Sequence, residues 1–162
     1  MSAPPIALEE LLSQVRNENL QIEFNNLQHE PWEVLGAGAQ GTVYKTSYFG
    51  TLVAVKVSLS SKINANNSSA IVQEIKMLKN LRHPKIVEFM GFSLDQSNNI
   101  CIVTEYLGGG SLFRLLHTPS FSLTWRNHLL QYAIDICEGM AYMHAQSSPL
   151  LHRDLKSPNI LI

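Results

Sequence analysis

The spacing of apolar positions changes along the 162-residue chain, and each change predicts an element. After Pro5, residues Ile6, Ala7, Leu8, Leu11, Leu12 and Val15 recur at helical spacing, and the proline suits a first turn. A short amphipathic helix is expected there, as a leader packed on the body or on a partner. From Leu20 the period becomes two. Leu20, Ile22 and Phe24 alternate, and residues 32–35, 42–48 and 52–59 read as strands, the last two joined at Phe49-Gly50 as an antiparallel hairpin. Residues 64–69 form a polar stretch whose end is expected to cap a helix over 70–81, stopped by His83-Pro84. Strands are predicted over 86–92 and 100–106, around a polar turn at 95–99. After Gly108-Gly109-Gly110 the pattern turns helical, with a short helix over 111–117 and a longer one over 124–144. Leu130, Ala133, Ile134, Cys137 and Ala141 lie along one side of the longer helix. A run of strands holding one helix, followed by a run of helices, is an α+β pattern of two unequal lobes. The glycine stretch is the candidate hinge.

Composition narrows the class. A length of 162 residues suits about one domain. With 45% hydrophobic and 15% charged residues, the chain can bury a core and does not read as a disordered tail. Twelve Lys plus Arg against thirteen Asp plus Glu leave a net charge of −1, which offers no general attraction to nucleic acid or to an anionic membrane. No stretch reaches the roughly 18 apolar residues of a membrane span, and Met1 to Pro5 carries no secretory signal, so a cytoplasmic location is expected. The Asn-x-Ser patterns at Asn66 and Asn67 then read as a polar loop. Cys101 and Cys137 form no Cys-x-x-Cys pair, which speaks against a disulfide framework or structural zinc site. His29, His83, His117, His128 and His144 show no metal-binding spacing.

Three segments carry chemistry. Residues 36–43, Gly-Ala-Gly-Ala-Gln-Gly-Thr-Val, contain G-x-G-x-x-G. In a dinucleotide-binding fold this motif opens a helix and an acid follows about 20 residues on. Here Thr42-Val43-Tyr44 reads as a strand, and Val55, Lys56 and Val57 occupy the acid's region. A glycine-rich strand–turn–strand lets backbone N–H groups approach phosphates, although an ordinary tight hairpin has the same signature. Next, Val53, Val55 and Val57 share one face of a strand, and Ala54 and Lys56 the other. A lysine on such a strand requires an anion. Glu74, among Ile71, Ile75 and Leu78 on the helix after it, can supply one. Alone, that pair is more often structural; beside a glycine loop, a phosphate-binding lysine fits better. The third segment, residues 151–162, holds His152-Arg153-Asp154 and Asn159 in the pattern H-R-D-x-x-x-x-N. Asp154 can accept a hydroxyl proton, Asn159 can offer magnesium an oxygen, and Lys156 can neutralise a moving phosphoryl group.

With these three segments in this order, the chain from about Trp32 to Ile162 resembles a eukaryotic protein kinase domain. The resemblance implies a sheet-rich N-lobe and hinge over 21–107, preceded by the helical extension 1–20 and followed over 108–162 by a partial helical C-lobe. It implies ATP and Mg2+ as cofactors and a protein hydroxyl as acceptor. Gly36, Gly38 and Gly41 resemble the loop over the ATP phosphates. Lys56 resembles the lysine on the α- and β-phosphates, held by Glu74. Val43, Ala54 and Leu161 resemble the residues that sandwich adenine. Thr104 resembles the gatekeeper, and Glu105, Tyr106 and Leu107 the hinge whose backbone reads the adenine edge. Asp154 resembles the catalytic base, Asn159 a magnesium ligand, and His152 a structural member of the catalytic loop.

Lys156 is similar to the lysine of serine/threonine kinases. Lys156-Ser157-Pro158-Asn159, with Trp125 and Gly139-Met140-Ala141-Tyr142-Met143-His144, looks most like the tyrosine kinase-like group, whose members mostly phosphorylate serine and threonine. Gln40 stands where an aromatic often tips the glycine loop, and Lys85 replaces the asparagine of the His-Pro-Asn turn. The chain stops at Ile162, before the Asp-Phe-Gly segment the family places next. The expectation is a piece of a serine/threonine kinase, inactive or very weak in isolation, with apolar surface left exposed around Leu130 to Ala141. The alternative is a noncatalytic module that binds a nucleotide, a partner kinase or another regulator.

Overall fold

The computed structural model describes residues 13, 20–27, 31–38, 41–58, 65–119 and 123–162. The amphipathic helix predicted over residues 6–15 lies outside the described residues, apart from Ser13. The chain divides into two compact units, one of residues 1–81 and 88–106, the other of residues 82–87 and 107–162.

The first unit is a five-stranded antiparallel sheet of order β1-β2-β3-β5-β4. Its strands are β1 (Glu33–Gly38), β2 (Gly41–Tyr48), β3 (Thr51–Ser58), β4 (Phe89–Leu94) and β5 (Ile100–Glu105), with helix α1 (Ala65–Leu78) between β3 and β4. Phe49 and Gly50 both take positive φ, 47° and 82°, which gives the β2–β3 hairpin a turn that matches the strand twist. Register then sorts the side chains. Val53, Val55 and Val57 pair with Glu105, Val103 and Cys101, while Ala54 and Lys56 pair with Thr104 and Ile102. Directly paired residues share a face, so the alternation read along β3 extends across the sheet.

Each face has its own core. On the Lys56 face, Val72 and Ile75 of α1 pack with Phe89, Phe92, Ile100 and Ile102. On the other, Val53, Val55, Cys101 and Val103 pack with Ile22 and Leu27. Phe24 and Trp32 close over that second core, their rings 5.6 Å apart. Burying a side chain such as Val55 or Ile75 completely contributes about 1.5–3 kcal/mol.

Residues 20–24, expected to be a strand, instead make one bridge and a turn. Gln21 pairs in parallel with Phe92, the Ile22 amide donates to the Phe92 carbonyl, and the Phe92 amide donates to the Leu20 carbonyl. A 3-10 turn at Phe24–Asn26 follows, because the chain must leave the β4 edge to cover the face where Ile22 and Leu27 are buried. Gly91, at φ 157°, permits this approach: a Cβ there would meet the Leu20 carbonyl oxygen at 2.6 Å.

Helix α1 starts five residues earlier than the pattern predicts, at Ala65. Its first turns carry Asn66, Asn67, Ser68 and Ser69, whose weak helix propensity is overridden by the helix they lead into. Strand β4 starts at Phe89 rather than Ile86, since a turn in which the Ile86 amide donates to the His83 carbonyl occupies the earlier residues.

The second unit is helical. Ser111 caps α2 (Leu112–Leu116) by accepting from the Arg114 amide at 3.2 Å. A wider π-type turn at Trp125–Leu129 leads into α3 (Leu130–His144). Gly139 of α3 lies against residues 82–87, where a Cβ would come within 3.0 Å of the Lys85 carbonyl oxygen. Lys85 pairs with Asp135 at 2.9 Å, the Arg82 amide donates to the Tyr142 hydroxyl at 3.0 Å, and the His83 and Tyr142 rings stack. Lysine in the His-Pro turn thus gains a carboxylate partner on α3. The apolar side read along this helix is open: Leu130 and Ile134 are 56% and 42% exposed, and Cys137 is exposed.

Candidate active site

Strand register in the first unit gathers several predicted residues on one face. Val43 pairs with Lys56 and Lys45 with Ala54 across β2 and β3, and Ala54 in turn pairs with Thr104 of β5. Val43, Ala54, Lys56 and Thr104 therefore share the α1 face. Gly36 and Gly38 end β1, and Gly41 begins β2. Their glycines serve different ends. At Gly41, φ 133°, a Cβ would collide with the Val57 carbonyl oxygen, whereas at Gly36 and Gly38 a Cβ would meet nothing within 4 Å. Gly41 is required by the fold, while Gly36 and Gly38 leave their backbone open to approach from outside the chain. Gln40 lies outside the described residues.

Lys56 Nζ donates to Glu74 Oε1 at 3.1 Å, joining β3 to α1. The two side chains keep 30% and 38% of their surface, so the pair is hydrated and Glu74 is less enclosed than its place among Ile75 and Leu78 suggests. At the end of β5 the Glu105 amide donates to the Glu88 carbonyl, and Glu105 Oε1 accepts from the Glu88 amide at 2.8 Å. Any backbone reading at Glu105 then falls to its carbonyl, which already accepts from Thr104 Oγ1 at 3.2 Å.

In the second unit, the H-R-D segment forms a loop whose geometry is set locally. Arg153 takes φ 60°, a left-handed conformation that costs a non-glycine residue about 1–3 kcal/mol. The Asp154 amide donates to His152 Nδ1 at 3.3 Å. Lys156 Nζ lies 2.9 Å from Asp154 Oδ1. Asn159 Nδ2 donates to Asp154 Oδ2 at 2.8 Å and to the Asp154 carbonyl at 2.9 Å. Lys156, and secondarily Asn159, hold the Asp154 carboxyl below its ordinary pKa, so it is an anion at neutral pH. With its nitrogen spent on Asp154, Asn159 keeps Oδ1 as an acceptor. The loop ends against the start of α2: the Gly109 amide donates to the Ile162 carbonyl, the Ile162 amide to the Gly110 carbonyl, and the Leu112 amide to the Ile160 carbonyl. Leu161 pairs with Ser111 in this contact and is 43% exposed. Leu107 begins the longer segment of the same unit.

In the first unit, an open glycine backbone and a lysine held by a carboxylate suit the phosphates of a nucleotide; in the second, a hydrogen-bonded asparagine with a free oxygen suits a hard divalent cation. Among the described residues, no three His, Cys, Asp or Glu side chains gather as a metal cluster. Sequence reasoning passed over Glu33 and Lys45, which form an ion pair at 3.0 Å beside this face; their cross-strand pairing was the available signal.

Comparison with known proteins bears on the whole region. The profile of the family described as protein tyrosine and serine/threonine kinase matches residues 30–162. The chain is 39% identical over 170 residues to the serine/threonine-protein kinase CTR1 of Arabidopsis thaliana, covering 100% of this chain and 20% of that protein. It is 42% identical over 130 residues to the probable serine/threonine-protein kinase SIS8 of the same plant, covering 80% of this chain and 12% of that one. With the serine/threonine-protein kinase TNNI3K of Mus musculus it shares 36% identity over 154 residues, 94% of this chain and 18% of the relative. The chain therefore spans a fifth or less of the length of these relatives.

Proposed function

Because this chain belongs to the protein kinase family, which generally uses ATP and Mg2+, we propose that it takes ATP with Mg2+ and serves γ-phosphoryl transfer to a serine or threonine hydroxyl of a protein. The observation that carries this reading is the Asp154 carboxylate, ionised and engaged at one oxygen by Lys156 and at the other by Asn159. When bound, the magnesium–ATP complex supplies the electrophilic phosphoryl group with part of its charge neutralised. Asp154 orients the acceptor hydroxyl and takes its proton. Lys156 counters negative charge that builds up beside it, and Asn159 Oδ1 would be one ligand of the magnesium.

In the first unit, Lys56 holds the phosphates and Glu74 holds Lys56. Gly36, Gly38 and Gly41 present backbone N–H groups to those phosphates. Val43 and Ala54 contact adenine, Thr104 borders it and Glu105 reads its edge; of the second unit, Leu161 is assigned to the adenine and Leu107 to its edge. The substrate is a protein, and a partner kinase or regulator is expected to control the domain. No helix among the described residues is long and apolar enough to cross a membrane; a cytoplasmic setting is a separate part of this proposal.

The test is phosphoryl transfer from labelled ATP to a mixed protein substrate by the full-length gene product, with identification of the phosphorylated residue type. Phosphoserine and phosphothreonine are expected, and Asp154→Asn is expected to cut the rate by about 10²–10⁴. Undiminished transfer by Asp154→Asn, or phosphotyrosine as the main product, would overturn the proposal.

A further inference from the structure

Three side chains without an assigned role meet at one point of the first unit. Lys45 of β2 and Glu33 of β1 are direct cross-strand partners, and Lys45 Nζ lies 3.0 Å from Glu33 Oε2. The same ammonium sits over the Tyr106 ring, 5.3 Å from its centroid, on the chain that leaves β5. A single row of paired residues runs across the sheet through Glu33, Lys45, Ala54 and Thr104. Lys45 therefore stands on the face of Ala54 and Thr104, beside the residues assigned to the adenine.

Strand β1 needs such an anchor. All six of its residues are exposed, so no apolar side chain buries it, and its pairing with β2 shifts register between Val34 and Gly36. Beyond that shift the glycines begin. A backbone ladder alone leaves an edge hairpin free to rock, and the ion pair at Glu33 lies just before the irregularity. Lys45 ties the base of the hairpin to Tyr106, two elements that are far apart in sequence. Glu33 also raises the Lys45 pKa above its ordinary value, which further favours the charged form.

We propose that Lys45 is a positioning residue for nucleotide binding: held between the Glu33 carboxylate and the Tyr106 ring, it fixes the base of the glycine hairpin beside the adenine-facing row. The proposal rests on the reading of that hairpin as a nucleotide loop. It asks of Lys45 a positive charge that reaches both the Glu33 carboxylate and the face of the Tyr106 ring, two contacts that arginine also makes, so arginine should replace it.

Two measurements on the full chain test it: backbone hydrogen exchange over Glu33–Gly38 and Gly41–Tyr48 without nucleotide, and titration with a fluorescent ATP analogue in Mg2+. Lys45→Met keeps most of the aliphatic stem and removes the charge. It is expected to speed exchange in the hairpin and weaken nucleotide binding about three- to tenfold, with the melting temperature nearly unchanged. Glu33→Gln should move both in the same direction, the Lys45→Met/Glu33→Gln pair should be no worse than Lys45→Met, and Lys45→Arg should restore wild-type values. Wild-type exchange and affinity in Lys45→Met would overturn this inference alone, as would equal losses in Lys45→Arg. A wild-type chain that binds no nucleotide would overturn the nucleotide reading and this inference together.

Discussion

Lys56 and Glu74 invite two explanations, a structural ion pair or a lysine held ready for phosphate, and the two predict effects of different magnitude. At 3.1 Å, two unit charges attract by about 1.3 kcal/mol at the permittivity of water and about 5 kcal/mol at an effective permittivity of 20. The side chains retain 30% and 38% of their surface, so water screens them and the lower figure governs. Hydrated pairs measured by double-mutant cycles contribute about 0.2–1 kcal/mol. For a chain of this size 1 kcal/mol moves Tm by about 2–4 °C. Both Lys56→Met and Glu74→Gln should therefore melt within about 4 °C of wild type by calorimetry or dye fluorescence. Nucleotide affinity should behave differently. A hydrogen bond from a charged group is worth about 1.5–3 kcal/mol, so Lys56→Met should weaken magnesium–ATP roughly 10- to 150-fold. Glu74→Gln should lie between, because Lys56 keeps its charge and loses its guide. If Lys56→Met lowers Tm by more than about 8 °C yet binds nucleotide within about twofold of wild type, the pair is structural and the reasoning fails.

Three further outcomes follow from geometry away from that pair. Burial pushes the Cys101 thiol up to about 12, while Cys137 is exposed; a disulfide reagent should therefore label one thiol per folded chain and the second only after urea. Replacing Gly91 with alanine sets a Cβ against the Leu20 carbonyl oxygen and the Ile22 side chain. The expected cost is about 1–3 kcal/mol in urea denaturation, with faster amide exchange at Ile22 and Phe92. Since the folded pKa of Asp154 is depressed by Lys156 and Asn159, its stabilising contribution is present above about pH 4 and is lost as pH falls through the lowered value. In Lys156→Met the Asp154 carboxyl should titrate at higher pH by NMR, and an unmoved titration would show that Lys156 is not its main partner.

Local patterns made much of the first unit legible. The alternation of Val53, Val55 and Val57 against Ala54 and Lys56 fixes which side chains share a face, and the pairing with β5 carries that division across the sheet. Phe49-Gly50 marked a hairpin because two positive φ values at a two-residue turn suit few sequences. The H-R-D loop was legible for a similar reason, since Asp154, Lys156 and Asn159 are near neighbours in the chain and meet without help from distant elements. Elements that depend on distant partners were less legible. Leu20, Ile22 and Phe24 alternate like a strand, yet their pairing amounts to two backbone hydrogen bonds with Phe92, after which the chain turns to cover the second core. Asn66 to Ser69 look like a loop until the helix beyond them sets the backbone.

Periodicity states which residues lie side by side, and nothing more. Leu130, Ile134 and Cys137 form as regular a stripe as Val72 and Ile75, yet the first set is exposed and the second buried. The difference lies in what the sheet offers α1: Phe92, Ile100 and Ile102 on a facing surface. The buried residues of α3, Gly139 and Met143, sit off its apolar stripe, and its contact with residues 82–87 is made by a glycine, a carboxylate and a phenol hydroxyl. Lys45 belongs to the same class of omission. Its sequence neighbours Tyr44 and Thr46 suggest an ordinary outward lysine on an exposed strand. Its weight comes from register, which sets Glu33 opposite it and Ala54 beside it, and from the turn of chain that brings Tyr106 under its ammonium. A polar anchor of this kind leaves no hydrophobic trace, so it emerges when strand pairing is known and is then testable by the charge it carries.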